Sequence, residues 1–115
     1  MRIHAKAEVL TVYIGEDDKW HTGLLYPAVV ERLQETGVAG VTVLKAVEGI
    51  GWTGEPDSDS HAHRRRSRPI AIQAVDVPDR IAVALAALDE MLTDALVTVH
   101  EVDATRISPE PKPKE

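Results

Sequence analysis

The 115-residue chain has no cysteine, which excludes disulfides and thiolate metal sites and suits a reducing compartment. No apolar run approaches the roughly 18–20 residues needed to cross a bilayer. The start, Met1-Arg2-Ile3-His4-Ala5-Lys6, lacks the apolar stretch of a secretory signal. Together these absences predict a cytoplasmic protein. A basic surplus is missing too: 13 Lys and Arg against 19 Asp and Glu leave a net charge of −6. Phosphate backbones demand a basic surface, so no nucleic-acid partner is expected. Catalytic signatures are equally scarce, with no Gly-rich phosphate loop and no serine in an elbow motif. The expected role is binding, not catalysis.

What is present is enough for one domain. A hydrophobic fraction of 43% supports a real core at this length. Residues 8–14 alternate, with Leu10, Val12 and Ile14 on one face and Val9, Thr11 and Tyr13 on the other; this is a strand. A polar loop from Gly15 to Lys19 leads to a helix over residues 24–36, with Leu25, Ala28, Val29 and Leu33 at helical spacing. Pro27 is tolerated only in that helix's first turn, and Gly37 stands where a left-handed cap closes it. Residues 41–47 and 69–75 read as strands. Pro78 opens a second helix with the stripe Ile81, Ala84, Leu85, Leu88, Met91 and Leu92. Thr93-Asp94 then turns the chain into a last strand over 95–102.

The order β-α-β-β-α-β, with right-handed crossovers, gives the α+β ferredoxin-like fold, a four-stranded antiparallel sheet with both helices on one face. The domain spans 8–107, with residues 1–7 as an N-terminal extension and the Pro-rich 108–115 as a disordered tail. Leu10, Val12, Ile14, Ile70, Ile72, Val97 and Val99 supply the helix-covered face. The other face combines Val9, Tyr13, Val75, Leu96 and Val102 with Thr11, Gln73, Thr98 and His100. That mixture is too apolar for bare solvent and too polar for a sealed core, so an oligomer interface is predicted.

The strongest functional signal is the non-periodic stretch 49–68, far longer than the usual four to six residues of a connection. Glu55, Asp57 and Asp59 precede Arg64, Arg65, Arg66 and Arg68. The arginines fit a grip on phosphate or an acidic partner through bidentate guanidinium geometry; a solvated loop is the plainer alternative. His61 and His63 share one side of an extended segment and are weak metal candidates, without a third ligand. Gly15, Glu16, Lys19, Trp20 and His21 form a second candidate ligand site, where Gly15 permits close backbone approach and Trp20 either stacks on a base or simply packs. Lys45, within the second strand, joins this set, with Gly49 and Gly51 as hinges of the long loop.

Three runs carry a family resemblance: Val12-Tyr13-Ile14-Gly15-Glu16-Asp17-Asp18-Lys19-Trp20-His21, Leu25-Tyr26-Pro27-Ala28-Val29-Val30-Glu31-Arg32-Leu33, and residues 37–51 from Gly37 to Gly51. With Pro69 to Asp76 and Leu88 to Met91, they make the chain resemble the bacterial PII-like family known as domain of unknown function 190. The resemblance covers about residues 8–103. It implies a homotrimer in which three sheets line a central core, and adenine-nucleotide binding in clefts between subunits. It also implies that the long loop reports the bound state to a partner protein, such as a membrane transporter or an enzyme. Unlike PII proper, this chain has no glycine or cation at Thr93-Asp94 and no tyrosine in 49–68. A CutA-like trimer with a metal-binding or structural role is the alternative. A small acylphosphatase-like hydrolase is the third reading, opposed by the absence of any asparagine to place water.

Overall fold

The computed structural model describes residues 1–49 and 68–110. Strand β1 spans Arg2–Gly15, followed by the two-residue strands β2 (Lys19–Trp20) and β3 (Gly23–Leu24). Helix α1 (Leu25–Glu35), strands β4 (Gly40–Lys45) and β5 (Pro69–Asp76), helix α2 (Pro78–Ala87) and strand β6 (Leu96–Ile107) complete the order. The main sheet runs β4-β5-β1-β6, with every neighbouring pair antiparallel. This is the ferredoxin-like α+β fold that the sequence predicts. Each helical crossover is followed by an adjacent antiparallel pair, which draws β1 into the middle of the sheet.

The core lies between the sheet and both helices. Leu10 faces Ala74, Val12 faces Ile72 and Ile14 faces Ile70 across the β1–β5 ladder, and all six are buried. From α1 come Leu25, Val29 and Leu33, spaced four apart so that they fall on one stripe. From α2 come Ile81 and Ala84. Pro78 sits in the first turn of α2 with Asp79 beside it, where a carboxylate suits the helix dipole. Helix α1 stops at Gly37, whose φ is +80°. The orphan carbonyls at that end are used: Thr36 Oγ1 donates to Leu33 O at 2.6 Å and the Arg80 guanidinium donates to Thr36 O at 3.2 Å.

Several boundaries differ from the sequence reading. Residues 2–7, expected as an extension, are strand, because β1 pairs with β6 all the way from Arg2↔Ile107 to Tyr13↔Leu96. Alternation there mixes small and charged residues, so no apolar period marks it. The expected tail likewise begins later. Ser108 N donates to Met1 O at 3.0 Å, and the Met1 amine donates to Ser108 O at 2.7 Å; residues 111–115 lie outside the described residues. Helix α2 ends at Ala87, and Leu88 to Leu92 continue as tight turns closed by i→i−3 bonds such as Leu88 N to Leu85 O and Met91 N to Leu88 O. Leu88 and Met91 remain buried, which is why the stripe looked helical throughout. Val99, expected under the helices, is 42% exposed, because β6 is an edge strand beyond their cover.

Candidate functional site

The sheet end at which β1 and β4 finish and β5 begins gathers several of the expected residues. Directly after β1, Asp18 closes a turn: its Oδ2 accepts from Gly15 N at 2.8 Å, and its N donates to Gly15 O at 3.2 Å. Asp18 O then accepts from Leu25 N at 2.7 Å, tying the turn to the first residue of α1. The interposed β2–β3 hairpin turns at His21, whose φ is +54°, a conformation in which histidine is enriched among non-glycine residues.

Across this turn stands Lys45. Its Nζ lies 3.3 Å from Glu16 Oε1, and the Lys45 side chain is 52% exposed. The ammonium also sits 5.3 Å from the centre of the Tyr26 ring, in cation–π range. The Glu16 carboxylate, as hydrogen-bond acceptor, and secondarily Tyr26 raise the Lys45 pKa above the ordinary lysine value. Helix α1, which begins here, has no acidic residue in its first turn, so its N-terminal field is not cancelled by its own side chains.

Both stems of the long loop are fastened at this corner. Ala46 N donates to Pro69 O at 3.0 Å, and Glu16 N donates to Arg68 O at 2.8 Å. Gly49 faces the Pro69 ring, which an added Cβ would meet at 3.4 Å. The structure thus brings together Gly15, Glu16, Lys45 and Gly49 and the backbone of Arg68. Chemically, the corner offers a half-exposed cation paired with the Glu16 carboxylate and the Tyr26 ring, an arrangement that can trade that carboxylate for another anion.

The remaining hairpin candidates do not join it. Lys19 and His21 are exposed, and the His21 ring meets Trp20 edge-on at 4.2 Å. Trp20 turns toward the helix layer and packs on the core. With Ala28, Glu31, Arg32, Glu35 and Met91 it lines a groove of about 250 Å³. Ala28 is two residues from Tyr26, so this groove lies on a different flank of α1 from Lys45. Trp20 therefore packs on the core on a different side of α1 from the Lys45 corner. Gly51, His61, His63, Arg64, Arg65 and Arg66 lie outside the described residues. Tyr26 and Asp18 were missed by sequence reasoning. Asp18 carried a usable signal, an Asx residue three positions after a turn glycine, whereas nothing local pairs Tyr26 with Lys45.

Residues 7–104 match the family of domain of unknown function 190, described as "Uncharacterized ACR, COG1993". The chain belongs to that family. It is 31% identical over 87 residues to a UPF0166 protein of Methanocaldococcus jannaschii, covering 76% of this chain and 80% of that relative. Among solved structures it is similar to the apo form of CPII, a nitrogen regulatory PII-like protein from Thiomonas intermedia K12. The TM-score is 0.63 at 14% identity, over 93% of this chain and 100% of the other. CPII bound to ADP, AMP and acetate gives 0.62 at 17% identity, over 90% of this chain and 93% of that one. At such identities the likeness to CPII is one of fold.

Proposed function

We propose that this family member is a PII-like regulatory protein that binds the phosphates of an adenine nucleotide at the Gly15–Glu16–Lys45 corner. The cleft is completed by a neighbouring copy in a homotrimer, and residues 49–68 relay the bound state to a partner protein such as a membrane transporter or an enzyme. The chain works by binding and not by catalysis.

The observation that carries this reading is the attachment of both loop stems to the corner that presents the Lys45 ammonium. Glu16 holds Lys45 through its side chain and Arg68 O through its backbone N–H. A phosphate that takes Lys45 from Glu16 therefore acts one residue away from the loop's second stem. The nucleotide complex of CPII, which shares the fold, supports the choice of ligand. Arg64, Arg65, Arg66 and Arg68 fit the same chemistry as further grips on phosphate or on an acidic partner.

The test is a thermal-shift screen of the full chain against AMP, ADP, ATP, cyclic AMP and cyclic di-AMP, with and without Mg²⁺, and against divalent metals alone. The expected result is stabilisation by one nucleotide, about 2.7 kcal/mol at 100 times its Kd. Lys45→Met should weaken that binding roughly tenfold or more, since a charge-assisted hydrogen bond contributes about 1.5–3 kcal/mol. Replacing Arg64–Arg66 with alanine should abolish it. No shift with any nucleotide would overturn the reading. A shift with metal alone would favour the CutA-like alternative, and acyl-phosphate turnover the hydrolase.

A further inference from the structure

The β1–β6 pairing runs beyond the rest of the sheet. Strand β5 pairs with β1 only from Glu8 onward, whereas Arg2 to Ala7 remain paired with Val102 to Ile107. Six residue pairs thus form a two-stranded ribbon that, among the described residues, no third strand supports. A lone two-stranded ribbon is at best marginally stable in water.

The ribbon has two unlike faces. On one, Lys6 pairs with Asp103 at 2.6 Å with both side chains over 80% exposed, and Thr105 Oγ1 and His4 Nδ1 lie 2.9 Å apart. Arg2 and Ile107 share this polar face at the ribbon's tip, where Ile107 is 73% exposed. The other carries Ile3, Ala5 and Ala7 opposite Arg106, Ala104 and Val102. Register makes it continuous with the open side of the main sheet, whose rows are Leu44, Ala71, Tyr13 and Leu96, then Thr42, Gln73, Thr11 and Thr98, then Gly40, Val75, Val9 and His100. Leu44 is 50% exposed, Ile3 46%, and Tyr13 and Leu96 each 37%. Ala7 is already buried at 4% exposure, whereas the small residues Ala5 and Ala104 allow another layer to approach the ribbon's backbone closely.

Area argues for the occupant. Four strands about 4.8 Å apart and five residues of about 3.4 Å give the open sheet side a footprint of roughly 19 by 17 Å, about 320 Å². That is under half of the ~800 Å² per partner in a stable interface. The ribbon prolongs the same face by about 20 Å along the strands and raises its footprint to about 510 Å², well over half of that per-partner area. We propose that the ribbon is a clasp, which lays its Ile3–Ala5–Ala7 and Val102–Ala104 face against a neighbouring copy of this chain and completes the interface that the sheet begins. This rests on the homotrimer proposed above. A second copy fits because whatever covers the sheet must also meet the ribbon's inner face, and rotational symmetry repeats both surfaces around the axis.

Sedimentation equilibrium on the full chain tests it, with Ala5→Glu and Ala104→Glu placing charge on the inner face. His4→Glu and Thr105→Glu, at neighbouring positions on the solvent face, are controls. The expected result is a wild-type trimer, a dissociation constant raised at least about tenfold in the inner-face variants, and no change in the controls. Hydrogen exchange of amides 2–7 and 102–107 should also slow as protein concentration rises. An unchanged trimer in the inner-face variants, with concentration-independent exchange, would overturn the clasp and leave the trimer standing. A wild-type monomer would overturn both.

Discussion

Lys45 is held by two partners of different kinds, the Glu16 carboxylate and the Tyr26 ring. Because both raise its folded pKa, their contribution to stability is fully present below the unfolded value of about 10.5. It is lost as pH rises through the higher folded value. The stability difference between wild type and Lys45→Met should therefore be constant at pH values well below 10.5 and shrink as the pH rises above 10.5, as read from urea melts. A difference that grew at high pH would contradict this pairing. In the proposed function the same residue is the point at which a phosphate enters. Sequence reading included Lys45 without a reason to rank it above Lys19. The reason is tertiary, since it needs the ends of β1 and β4 side by side and the first turn of α1 above them.

Among the elements, the junction between α1 and β4 shows how closely one position can be prescribed. Gly37 has a positive φ, and an added Cβ would meet the Arg80 guanidinium at 3.0 Å. That guanidinium donates to Thr36 O at an exposed site, where water can replace it if Arg80 shifts, so the cost of a Cβ here rests on the backbone. Gly37→Ala should cost about 1–2 kcal/mol for the left-handed backbone alone, measured as a lowered urea midpoint with an unchanged slope. The cap was legible from the glycine after an apolar helical period, as were the apolar stripe of α1 and Pro78 at the start of α2. The end of α2 was not legible. Leu88 and Met91 bury their side chains from tight turns as well as they would from a helix, so hydrophobic spacing alone could not separate the two.

For the molecule as a whole, the open side of the sheet is the dominant unexplained surface. Its rows put Tyr13 and Leu96 next to one another across β1 and β6, while Thr11 beside them is only 2% exposed. Two mainly apolar rows flanking one polar row suit an interface that forms after each copy has folded. Tyr13→Glu should leave the fold intact, because that side chain is outside the core, and should convert trimer to monomer in light scattering. A folded trimer carrying Tyr13→Glu would show that association uses another surface. Among the described residues no helix is long and apolar enough to cross a membrane.

The sequence by itself determined the fold class, the family and the two faces of the sheet. These depend on local periodicity and on residue runs such as Val12 to His21 and Gly37 to Gly51. Each such signal is complete within a few turns of chain. Only the tertiary structure decided that Glu16, Tyr26, Lys45 and the Arg68 backbone share a corner while Trp20 leaves it for the helix layer. Only the tertiary structure, too, decided that residues 2–7 are strand. Both outcomes come from pairings between distant segments, Arg2 with Ile107 and Glu16 with Arg68. Their hydrogen bonds are made by the backbone, which every residue possesses, and so leave little trace in side-chain identity.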